Sequence, residues 1–150
     1  MIPTVPILLE GIAETKYPNR TYKIVFQNGV TSGSNLTVKA IEVESTDRIS
    51  GYIDDLDSVI QAIYLILSTE RYQHIIYSWD YGVELVDLIG KPMPYVMSEL
   101  PRRIEDALTQ DDRIESVVDF QFEVERNKLH TTFTVVTNLG NISTEMEVEV

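Results

Sequence analysis

The chain holds 150 residues, 24 acidic against 12 basic, for a formal net charge of −12. That balance argues against nucleic acid, which needs a basic footprint to replace the counterions around phosphate, and against docking on anionic lipid. Without cysteine, disulfides and thiolate metal or nucleophile chemistry are excluded.

Hydrophobic residues make up 43% of the chain, ordinary for one folded domain. No run approaches the roughly 20 apolar residues of a membrane span. Met1 to Leu9 is apolar, lacks a basic residue and carries Pro3 and Pro6. It reads as part of an extended arm over residues 1–20, because proline blocks helix, and as a poor signal peptide. Residues 21–150 read as a single domain. The charge is uneven: residues 1–50 hold five acids and five bases, 51–100 eight against two, and 101–150 eleven against five. The whole deficit therefore lies beyond residue 50.

Thr21 to Gln27 alternates, with Tyr22, Ile24 and Phe26 on one face, and predicts a strand. Asn28-Gly29 and Ser32 to Asn35 are turn-rich. Leu36 to Val43 is β-rich, with a parity shift at Ile41 that a bulge or a broken strand would explain. Residues 28–46 read as an insertion in a first hairpin. Asp54 or Asp55 is placed to cap a helix over 55–70. Its buried stripe is Leu56, Val59, Ile60, Ile63, Ile66 and Leu67. Tyr72 to Tyr77 fits a short strand or a helix extension. Val83 to Ile89 suggests a short helix ending at Gly90. Pro94 to Leu108 suggests another, which Pro101 should kink.

The last third is the clearest. Val118, Phe120, Phe122 and Val124 alternate with polar residues. So do Leu129, Thr131, Phe133 and Val135, and then Ile142, Thr144, Met146 and Val148. Turns at Arg126-Asn127-Lys128 and at Asn138 to Asn141 join them into a three-stranded antiparallel meander with one wet, acidic face. The expected class is α+β: a small antiparallel sheet with this meander packed against two or three helices, preceded by an extended arm and hairpin. A last strand at a sheet edge would offer backbone groups to another chain.

Chemistry is harder to find. Asp54, Asp55 and Asp57 lack the spacing of a calcium loop and suit a helix start. His74 and His130 have neither a zinc spacing nor an activated serine beside them. No glycine-rich phosphate loop is present. Paired carboxylates able to cleave a glycosidic bond arise by chance among 24 acids. No catalytic residue, metal site or cofactor is expected. Tyr72, Tyr77, Trp79 and Tyr81 either seal the core beneath the helices or form an interface, where amphipathic aromatics are enriched. Arg71, beside Glu70, and Arg113 either clamp a partner's carboxylates or carbonyls or make ordinary surface ion pairs.

Thr69-Glu70-Arg71-Tyr72, Tyr77 to Leu85, Leu88-Ile89-Gly90, and Ile104 with Ala107-Leu108 leading into Asp111 to Ile114 and the meander together resemble a known family. It is the baseplate wedge or sheath initiator family of contractile phage tails and tailocins, also labelled lysozyme-like, and in particular its Gram-positive branch. The resemblance covers about residues 48–150. Glu70-Arg71 matches the family's Glu-Pro-Arg signature without its proline. The resemblance implies a structural, non-enzymatic virion protein of the tail baseplate, assembled in the bacterial host cytoplasm, in six copies around the tail axis. It implies that the protein nucleates the sheath by mimicking the sheath's joining domain and exchanging strands with the first sheath ring. Its partners would be sheath protein, baseplate wedge proteins and, through the arm, tube or hub proteins. Interface candidates are Glu70, Arg71, Tyr72, Tyr77, Trp79, Tyr81, Arg113, Ile142, Thr144, Met146 and Val148. The competing readings are a cell-wall hydrolase and a generic acidic protein-binding module.

Overall fold

The computed structural model describes residues 19–25, 36–38 and 48–149. The extended arm, the turn-rich stretch after Gln27 and the parity shift at Ile41 lie outside the described residues.

An antiparallel ribbon pairs β1 (Arg20–Val25) with β3 (Arg48–Asp54). Sequence periodicity does not reveal β3, because Gly51 interrupts it. Gly51 sits at φ +64, and the register jumps from Tyr22↔Tyr52 to Ile24↔Ile49. One extra residue on β3 forms a bulge that glycine enters without a Cβ clash.

The ribbon feeds into α1 (Asp55–Leu67). Asp54 occupies the N-cap position but makes no side-chain cap bond, contrary to expectation. Its carboxylate is drawn instead to Arg20 Nε at 3.1 Å. Asp55 does not cap either: it is the first helical residue, with φ +50, and its N–H donates to Asn19 O at 2.7 Å. The helix buries Val59, Ile63, Ile66 and Leu67, the core of the expected stripe. Gln61 ties it to β1 by accepting from Ile24 N and donating to Tyr22 O, both at 2.9 Å. It stops at Leu67 rather than 70. Ser68 and Thr69 turn their hydroxyls back onto Tyr64 O and Leu65 O, the local competition by which such residues end helices.

Helix α2 (Met93–Leu108) runs unbroken through Pro101 and buries Val96, Leu100, Ile104, Ala107 and Leu108. The meander is β4 (Ile114–Glu125), β5 (Lys128–Thr137) and β6 (Gly140–Glu149). β2 (Leu36–Val38) joins it, giving the order β2-β6-β5-β4. Leu129, Phe133, Val135, Ile142, Met146 and Val148 point into the core. Phe133 is fully buried, which stabilises the fold by ~1.5–3 kcal/mol.

Two expectations about the meander need correction. Val118 faces solvent while Val117 is buried. The β4–β5 register slips between Val118 and Gln121, and Asp119 adopts φ +58. That bulge inverts which residues of β4 face inward. Val124, beyond it, is also exposed. The second correction concerns the edge. β6 is not a bare edge strand, because β2 pairs with it from Leu36↔Val148 to Val38↔Met146.

Candidate functional site

The helices are joined by a long loop pinned at its base. Glu70 and Val83 form a parallel bridge. Arg71 N donates to Val83 O at 3.1 Å, and Val83 N donates to Thr69 O at 2.9 Å. Residues 71–82 therefore form a surface loop with its ends together, the geometry of an Ω-loop. Neither a strand nor a helix extension forms over 72–77. Tyr72 lies at φ +66, outside the backbone regions of regular strand and helix. The helix expected over 83–89 shrinks to a 3₁₀ turn, Val86–Leu88. Val83 is held in the bridge, and the amides of Leu85 and Val86 are already committed to a side chain.

That side chain is Glu70. Its carboxylate accepts from Leu85 N at 3.1 Å and from Val86 N at 3.3 Å. Burial raises its pKa above the usual carboxylate value, and the two amides oppose the rise. Both oxygens are occupied by backbone, which is the arrangement of a brace rather than of a general acid. Arg71 is the second brace. Its Nε donates to Gly82 O at 3.1 Å, and its Nη1 reaches Asp106 at 2.7 Å and Glu84 at 3.5 Å. Arg103 adds a third, from Nη1 to Glu84 O at 2.7 Å. Sequence reasoning missed Arg103; its i,i+4 spacing from Glu99 signals only a surface pair.

Braced in this way, the loop pushes its apolar side chains outward. Ile75 is 103% exposed, Ile76 85% and Trp79 79%. Tyr72 and Tyr77 are also exposed. The rings of Tyr72 and Trp79 lie 5.9 Å apart, and Tyr77 stacks on Tyr81 at 4.7 Å. Only Tyr81 packs against the core, so of the two readings of these aromatics, sealing the core holds for that residue alone. Ile75 and Ile76 were overlooked because two adjacent isoleucines inside a predicted element look like core.

Arg113 lies elsewhere and is buried. It forms a two-pronged pair with Asp111, Nε to Oδ1 at 2.8 Å and Nη2 to Oδ2 at 2.5 Å. Their side chains are 6% and 5% exposed. Its fork thus serves an internal carboxylate. The pair helps line an open cavity of about 220 Å³, together with Ala62, Leu65 and Ile66 of α1, Ala107 of α2, and Ser78, Asp80, Tyr81 and Gly82 of the loop.

Ile142, Met146 and Val148 point inward and Thr144 is half-buried. Their apolar side chains are committed to the core, and the backbone at Met146 and Val148 is already paired with both β2 and β5, so of the four only Ile142 and Thr144 lie on a stretch of β6 that no other described strand than β5 covers. Among the described residues, β4 is one outer strand of the sheet and β2 the other. β2 spans only Met146 to Val148 of β6. The solvent face of β5 and β6 carries Lys128, paired with Glu147 at 2.5 Å, and His130, 3.5 Å from Glu147. Among the described residues no group of three or more histidines or carboxylates could hold a metal ion, and no helix is long and apolar enough to cross a membrane.

An α+β fold with braced internal charges and an exposed aromatic loop points to a protein built for association. The family model for the contractile injection system sheath initiator matches residues 20–140, and the chain belongs to that family. It is similar to the phage-like element PBSX protein XkdS of Bacillus subtilis (strain 168), with 34% identity over 140 residues, covering 91% of this chain and 87% of that protein. Its role is that of a structural component of a contractile tail.

Proposed function

We propose that this chain starts the contractile sheath by lending a sheet edge to a strand from the first ring of sheath subunits. Membership of the sheath initiator family supports the class of partner. The observation that carries the mechanism is the sheet order β2-β6-β5-β4. Among the described residues it leaves the twelve-residue β4 as an outer strand and gives residues 140–145 of β6 no partner on the side where β2 pairs. Edge backbone groups pair readily with an added strand. Six copies around the tail axis would repeat the contact, and avidity would then make a weak pairing effective. The exposed loop over 71–82 faces other baseplate proteins in this reading, and the N-terminal residues extend toward tube or hub. Assembly takes place in the host cytoplasm before the particle is complete.

The chain has no cysteine, so single ones report cleanly. Glu123→Cys on β4 and Glu145→Cys on β6 are both solvent-facing. Each is charged with a short crosslinker and mixed with purified sheath protein and baseplates. Strand addition predicts a crosslink to sheath from at least one of them. Sheath that assembles with neither position crosslinked would refute it.

A further inference from the structure

The cavity between α1, α2 and the braced loop has the size of an anchor site. Its volume is about 220 Å³, below the ~300–1,000 Å³ of pockets that take cofactors or drug-sized ligands. That space suits one large side chain. Its walls are the apolar faces of Ala62, Leu65, Ile66 and Ala107. The carboxylate and guanidinium at its base, Asp111 and Arg113, already bind each other. Tyr77 stacks on Tyr81 of the lining, Trp79 lies in sequence between the lining residues Ser78 and Asp80, and both are exposed to solvent, as are Ile75 and Ile76 of the same loop. Large apolar side chains exposed together on one loop mark a protein-binding surface, and interface energy concentrates where an anchor fills a pocket.

Charge selects the occupant. From Tyr72 to Gly90 the chain carries Asp80, Glu84 and Asp87 and no lysine or arginine. Arg71, at the loop base, is already paired with Asp106 and Glu84. Of these acids Asp80 lines the cavity, and its carboxylate beside the exposed aromatic rings attracts a cation.

We infer that this cavity receives a single large apolar side chain from a peptide segment of another protein, with a lysine or arginine within a few residues that settles against Asp80 and the Trp79 ring. This rests on the reading of the loop as a partner face and names the chemistry of its partner.

The test uses the full chain on an array of overlapping 15-residue peptides covering the other proteins of the particle. Bound peptides are expected to share a large apolar residue near a lysine or arginine. Ala62→Trp, which fills the cavity, should weaken them at least tenfold, as should replacing their basic residue with glutamate. Gln110→Trp, at the exposed rim, blocks the same cavity should Ala62→Trp fail to fold. Ile76→Ser alters the shelf outside the cavity. If Ile76→Ser weakens binding and both filling variants leave it intact, the anchor cavity is wrong while the loop remains a partner face. If no variant weakens binding, if the bound peptides lack that pattern, or if none binds, both ideas fall.

Discussion

The meander and the loop between the helices are held by opposite means. In the meander, β5 and β6 pair from Lys128↔Glu149 to Thr137↔Gly140. Position there depends on backbone bonds and on which residues alternate inward. The loop has almost no repeating backbone pattern. It is held by Glu70, Arg71 and Arg103 reaching backbone groups and one another's partners. The difference teaches where each region tolerates change. A sheet accepts any residue that respects the alternation. A braced loop depends on particular atoms.

The largest expected effect lies under the loop. Arg113→Ala leaves Asp111 buried and unpaired, and breaking such a pair costs ~3–5 kcal/mol. Urea unfolding should show a matching fall in midpoint. A cost under about 1 kcal/mol, the level of a surface pair, would remove the contrast. Next comes Gly82, at φ +98, where a Cβ would lie 2.6 Å from Thr69 O. Gly82→Ala should cost ~1–3 kcal/mol and speed amide exchange at Arg71 and Val83 more than in β5.

Thr131 in the meander tests the other side of the comparison. It is fully buried and its Oγ1 has no hydrogen-bond partner among the described residues. Thr131→Val keeps the shape and removes the stranded hydroxyl, so it should raise stability by ~1 kcal/mol. A loss would mean that the sheet, too, depends on particular atoms.

The smallest effect is a pH dependence. Burial raises the pKa of Glu70, so the folded state holds that proton more tightly than the unfolded one. Its contribution is complete below the unfolded value and is lost as pH rises through the folded value. Glu70→Gln removes that dependence. The wild type should therefore lose stability relative to the variant as pH rises above the ordinary Glu value of about 4, as thermal midpoints would show.

The same contrast explains what could be read before the structure was known. Both α-helices and the three meander strands follow from periodicity, because burial on one face leaves a regular trace. The bulge at Asp119 left none, since one residue with positive φ changes parity without changing composition. β3 was hidden by Gly51 for the same reason. The aromatic loop was found as a cluster, but its outward aim comes from Glu70 and Arg71 acting across eleven or more residues, as with Arg71 Nε and Gly82 O. Arg113 looked like a surface arginine because its partner, two residues away, gave no sign that both would be enclosed. The acidity first served to exclude partners. Part of it now has structural work, at Glu70, Glu84 and Asp111, and Asp80 stands on the loop at the cavity.

Sheath nucleation is the central claim, and omission tests it most directly. Baseplates with attached tubes are assembled without this chain, given purified sheath protein, and viewed by electron microscopy with and without the chain restored. The account predicts bare tubes on otherwise formed baseplates, with sheath returning when the chain is added back. Full-length sheath seated on baseplates that lack the chain would contradict it.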